Sequence, residues 1–181
     1  MINLKKVTPF AIFFSVIIFS NCFAMFGYGE IPESEIALGG LQVGATEKRV
    51  RAIYGEPDDI EYDEIMMGGF PLTPTKTFHY GKGFTITLIG RSEEYTLLSV
   101  KINANNGIKT PAGFTIGSNI NDVRKYYESV GKPDSPGGKI GEKSDYNGEK
   151  SYTYYKGMHV LYFEYDSKNK VIAISVHEEL V

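Results

Sequence analysis

The chain has one cysteine, Cys22, and no tryptophan among its 181 residues. With so little cysteine there is no disulfide framework and no thiolate metal site, so the folded part must be held by packing. Lysine and arginine are spread out rather than clustered, and the formal charge of −3 is mildly acidic. Nucleic acid and anionic lipid both reward clustered positive charge, so neither is an expected partner. Nor is there an apolar run of the ~20 residues that a membrane-spanning helix needs.

What is present begins with a short positive patch, Lys5 and Lys6, followed by an apolar run from Val7 to Phe19 that Ser20 and Asn21 end. This is the pattern of a secretory signal, and Cys22, Phe23 and Ala24 supply the small-x-small ending that signal peptidase accepts. Residues 1–24 are therefore read as a cleaved signal peptide, with the mature chain starting at Met25. Removing Lys5 and Lys6 takes the formal charge from −3 to −5. The expected location is outside the cytoplasm, in the periplasm or beyond the cell. The alternative is an outer-membrane lipoprotein acylated on Cys22, and only in that case is a membrane a partner.

Self-similarity is the strongest pattern in the remainder. Gly44, Val50, Arg51 and Tyr54 recur 73 positions later as Gly117, Val123, Arg124 and Tyr127. Phe78, Tyr80, Lys82 and Gly83 recur 74 positions later as Tyr152, Tyr154, Lys156 and Gly157. Leu98, Val100 and Ile102 then match Ile172, Ile174 and Val176. The expectation is two tandem units, residues 36–107 and 108–181.

Each unit has a readable local logic. Thr46 and Asn119 can accept a hydrogen bond from a free amide at a helix start. Val50, Ile53 and Tyr54, like Val123, Tyr126 and Tyr127, fall at helical spacing and give one apolar stripe. Gly55 and Gly131 suit a left-handed helix end, and Pro57 and Pro133 block continuation. Alternation in Phe84, Ile86 and Leu88, and in Leu98, Val100 and Ile102, marks strands. The expected fold class is α+β: two tandem units, each a short helical element packed on a three- to four-stranded antiparallel sheet.

A glycine, a short capped helix, a second glycine, a proline and then alternating strands resemble the SmpA/BamE family of outer-membrane lipoproteins and the β-lactamase inhibitory proteins. The resemblance covers residues 36 to 177 and rests on caps, turns and core positions. It implies a helical element laid on an antiparallel sheet, carried twice. No binding residue can be carried over from it.

The residues offer no catalytic constellation, no cofactor motif and no metal set. His79, His159 and His177 lie in separate strand segments, without the close pairing that a zinc site or general base needs. Asp58, Asp59, Glu61, Asp63 and Glu64 alternate with Ile60 and Tyr62 as an exposed edge strand does, rather than staggering oxygens round a calcium-binding turn. The pairs Gly68-Gly69 and Gly137-Gly138 lack the lysine and helix of a phosphate loop.

One face stands out. The unit alignment places Met158, Val160 and Tyr162 on the helix-covered side, which by alternation puts His159, Leu161, Phe163 and Tyr165 on the other. That second apolar face needs a cover, either the first unit or a partner. The functional expectation is an exported, non-enzymatic module that binds a protein through His159, Leu161, Phe163 and Tyr165. The alternatives are an envelope assembly lipoprotein and an uncharacterised enzyme.

Overall fold

The computed structural model describes residues 28–66, 72–91, 94–146 and 148–180. The expected signal peptide, Cys22 and the Gly68-Gly69 pair lie outside them. The chain runs through β1 (Tyr28–Gly29), a 3-10 turn (Glu33–Glu35), α1 (Glu47–Tyr54) and then β2 (Asp59–Ile65), β3 (Thr73–His79), β4 (Phe84–Arg91) and β5 (Glu94–Ile102). It continues through α2 (Ile120–Val130), β6 (Lys139–Ile140), β7 (Glu142–Tyr146), β8 (Glu149–Lys156), β9 (His159–Tyr165) and β10 (Val171–Glu178).

β2 to β5 and β7 to β10 form one antiparallel sheet of eight strands in the order β2-β3-β4-β5-β10-β9-β8-β7. The expectation of two tandem helix-on-sheet units is corrected by this sheet. β5 and β10 hydrogen-bond to each other, with Val100 opposite Val176 and Ile102 opposite Ile174, so the ladder runs unbroken across the chain. A strand edge with unpaired amides is a liability, and pairing two such edges removes both. Among the described residues, Val50, Phe78, Ile86 and Val100 share an apolar core below the sheet with Val123, Tyr127, Leu161 and Phe163. The same sheet corrects the SmpA/BamE resemblance: the glycines, caps and prolines behind it specify local turns, and local turns do not determine how strands join.

Those local signals produce the helices. The Thr46 side chain accepts from the Arg49 amide at 3.2 Å to start α1, and the Gly55 amide closes it on the Arg51 carbonyl at φ 74°. Asn119 accepts from the Asn121 amide at 2.9 Å to start α2. Gly131 ends α2 differently from expectation, at φ −74°, which any residue can adopt. Its missing side chain serves close packing, since a Cβ there would stand 2.6 Å from Ile140 Cγ2 and 2.9 Å from the Tyr127 carbonyl oxygen.

Both helices are tied to the sheet by matching bonds. The Gly44 amide donates to the Leu97 carbonyl and the Gly117 amide to the Val171 carbonyl, each at 2.8 Å. Both glycines have left-handed φ, 81° and 89°, where a side chain would be strained. The N-terminal segment straps the far end: Glu30 and Lys132 exchange amide bonds at 2.9 and 2.8 Å, and the Ile31 amide donates to Tyr155 at 3.0 Å. β1 pairs in parallel with β6 in a separate two-stranded ribbon. Ile31, Ile36, Leu38 and Leu41 on this strap are all buried. β2, which carries the acidic run, is an edge strand with mostly exposed side chains.

Candidate functional site

Strand register separates the sheet into a side that the helices cover and an opposite, open side, on which Thr75, Ile89 and Val160 are nonetheless buried. One row across six strands, Phe78, Ile86, Val100, Val176, Leu161 and Tyr154, is linked by successive pairings. All six are buried, and all belong to the core that includes Val50 of α1 and Val123 of α2. This is the side the helices cover.

The neighbouring rows point the other way, because side chains alternate along each strand. One reads Thr77, Thr87, Ser99, His177, Val160, Tyr155; the other reads His79, Thr85, Lys101, Ser175, Tyr162, Thr153. Val160 is buried and Lys101 exposed, and the rest are half-buried. The face is therefore lined by hydroxyls, two histidines, two tyrosines and a central lysine. Thr77 and Thr87 hydrogen-bond to each other at 3.1 Å, and the Tyr155 hydroxyl donates to Glu142 at 3.0 Å. Burial holds the Tyr155 phenol above its ordinary range, and the carboxylate of Glu142 adds to this. Burial likewise holds His177 below its ordinary value of 6.5, and its Nδ1 lies 3.5 Å from Ser175 Oγ. A face of groups that both donate and accept, with aromatic rings among them, suits a polar, wet interface.

The residues expected to form a partner surface lie elsewhere. Leu161 and Phe163 are fully buried and Tyr165 is 6% exposed. Phe163 packs 5.9 Å from Tyr127 of α2, ring centroid to ring centroid, and 6.5 Å from Phe114. Tyr165 stacks on Tyr152 at 5.9 Å. His159, at the start of β9, places Nδ1 2.8 Å from Glu33 Oε1 of the N-terminal strap. The structure thus brings the four residues onto one face, but that face is the one the chain covers itself.

The inversion has a simple cause. Tyr152 follows Phe78 by 74 positions, yet their cross-strand partners Phe163 and Ile86 are 77 apart. Between aligned partners the β8–β9 hairpin is therefore three residues longer than the β3–β4 hairpin, and three is odd. An odd slip moves every side chain to the opposite face. In the first half the open face carries Thr85 and Thr87 of β4 and Ser99 and Lys101 of β5. Its continuation through Ser175, His177 and Tyr162 needed the β5–β10 pairing, which no local signal announces.

The histidines occupy separate places. His79 is 3.7 Å from Glu61 on the β2 side, His159 meets the strap, and His177 sits on β10. Among the described residues no helix is long and apolar enough to cross a membrane.

No protein-family model and no curated protein matches the chain. Among solved structures, a cysteine-rich secretory protein from Staphylococcus aureus is similar, with a TM-score of 0.49 and 16% identity over 82% of this chain and 48% of that one. An extracellular protein containing an SCP domain from Bacillus anthracis has a TM-score of 0.46 and 12% identity over 76% of this chain and 44% of that one. A DUF4309 family protein from Bacillus subtilis has a TM-score of 0.38 and 16% identity over 83% of this chain and 88% of that one. The chain spans about half the length of the first two.

Proposed function

We propose that the protein is exported and acts by binding another protein on the open face of its sheet, without catalysing a reaction. Export is supported by Lys5 and Lys6 followed by the apolar run to Phe19. The binding role is carried by one observation: the helices and the strap share a side of the eight-stranded sheet, and the opposite rows run from His79 to Thr153 as hydroxyl, lysine, serine and tyrosine side chains.

These rows are built for recognition more than for stability. Thr, Ser and Lys bury little apolar area, whereas Tyr supplies contact area at small entropic cost. Lys101 stands at the centre of the face, and Asp59 and Glu142 pair at its two ends, opposite His79 and Thr153. A partner carrying acidic groups at its centre would meet Lys101 there.

Photo-crosslinking in the exporting cell tests the reading. A photoreactive residue at Lys101 or Tyr162 is expected to give one discrete protein adduct, and the same residue at Lys48 or Lys125, exposed on the helices, is expected to give none. Equal adducts from both sides, or none from Lys101 and Tyr162, would overturn it.

A further inference from the structure

The two helices carry the same cation in two different electrical settings. In the first half, the Arg51 guanidinium lies 4.7 Å from the Phe78 ring centroid. In the second, Arg124 lies 4.8 Å from the Tyr152 ring centroid. A guanidinium over a ring covers apolar surface and gains from the ring quadrupole, so both pairings have a structural role.

Their partners differ. Arg51 is bound by Glu47 at 2.9 Å and by Glu56, and the nearby Lys76 is bound by Glu47 at 3.1 Å. Two cations meet two carboxylates and the site is neutral. Arg124 has Glu128 alone, at 3.1 Å, and its Nε is buried with no hydrogen-bond partner among the described residues. Lys139 and Lys143 join it, and among the described residues neither has an ion-pair partner.

These groups line a groove of about 600 Å³ between the second half of α2 and the β6–β7 segment. Three cations, Arg124, Lys139 and Lys143, face one carboxylate, Glu128, and Tyr28 and Ile140 supply apolar wall. The groove is of a size that holds a small organic ligand. Gly138 and Gly141 also line it, which brings backbone close to anything bound there. The backbone at Gly141 is left-handed, with φ 73°, and a Cβ would stand 2.6 Å from Tyr154.

We propose that this groove binds a small polyanion bearing phosphate or paired carboxylates, held between Arg124 and the two lysines. An oxyanion suits the donors: guanidinium offers a planar fork and each ammonium a mobile point charge. The lining side chains carry an excess of two positive charges that is absent at Arg51; Asp134, beside Gly138, offsets only part of it, and such a ligand would neutralise the remainder. The site lies on the helix side of the sheet and is separate from the open face.

Calorimetric titration of the purified protein with inorganic pyrophosphate and with citrate tests this, with glucose as the uncharged control. Saturable binding of at least one anion, and none of glucose, is expected. Preference for pyrophosphate assigns phosphate chemistry, and preference for citrate assigns carboxylate chemistry. Lys139 and Lys143 are both exposed, so the Lys139→Ala/Lys143→Ala double variant should stay folded. Its affinity should fall about tenfold or more, the loss that goes with one charge-assisted hydrogen bond. Lys101→Ala, on the far face, should bind as the parent does. Absence of saturable binding by either anion at millimolar concentration would overturn the proposal, as would equal weakening by Lys101→Ala.

Discussion

Lys101 on β5 lies directly opposite Ser175 on β10, at the middle of the pairing that joins the two halves of the sheet. On the reverse side of the same ladder, Val100 faces Val176 and Ile102 faces Ile174, all fully buried. The seam is thus core, and the halves should not unfold separately. Ile174→Ala is expected to cost about 2–5 kcal/mol, as buried Ile truncations do. Denaturant unfolding followed by far-ultraviolet dichroism and by tyrosine fluorescence should give coincident single transitions in the parent. Two resolved transitions would show that the halves are independent.

Tyr154 carries its hydroxyl into the core. Its ring centroid is 4.7 Å from that of Tyr127, and the hydroxyl oxygen is buried without a hydrogen-bond partner among the described residues. Burial drives its phenol well above the ordinary value of 10.0. An unsatisfied buried hydroxyl costs about 1–3 kcal/mol. Tyr154→Phe should therefore leave stability unchanged or raise it within that range, measured by chemical denaturation, whereas a loss of stability would mean that the hydroxyl has a partner.

Helix starts give a smaller, more local effect. Thr46 accepts from the Arg49 amide at 3.2 Å, and removing such a cap costs about 1 kcal/mol. Thr46→Ala should lower stability by that amount, and Thr46→Ser should restore most of it.

Stability should also depend on pH, through His177. Desolvation lowers its folded value below the ordinary 6.5. The unfolded chain then binds the proton first, so stability is full above 6.5 and falls as pH drops from there towards the folded value. Unfolding midpoints at about pH 7.5 and about pH 5.5 should differ, and His177→Gln should remove much of the difference. A second loss is expected below the ordinary carboxylate value of 4.5. Glu30 is held low chiefly by its hydrogen bond from Lys156. Glu47 is pushed up by burial, but Lys76 and Arg51 outweigh this and leave it low. Both contributions are present above 4.5 and fade as pH falls through the lowered values.

The helices and most strands were legible because their signals are local: Thr46 and Asn119 at the caps, Pro57 beyond α1, and the alternation of Phe84, Ile86 and Leu88. The side that the helices cover in the first half followed from that alternation. The joining of β5 to β10 was not legible, since the apolar alternation of Val100 and Ile102 fits an edge strand packed on a helix as well as a central strand. The face of β9 was misread for a related reason. A hairpin lengthened by an odd number of residues between aligned positions leaves Leu161, Phe163 and Tyr165 as apolar as before while moving them across the sheet. The groove around Arg124 was hidden because Lys139 and Lys143 are distant from it in sequence, and only β6 and β7 bring them alongside α2.

Thiol labelling at two adjacent positions tests the open face most directly. In a Cys22→Ser background, a cysteine at Lys101 and one at Val100 sit on opposite sides of β5. The account predicts that Lys101→Cys reacts with a maleimide at close to the rate of an unstructured cysteine, while Val100→Cys reacts only through opening of the fold. Protection of Lys101→Cys in the purified protein, or rapid reaction of Val100→Cys, would contradict it.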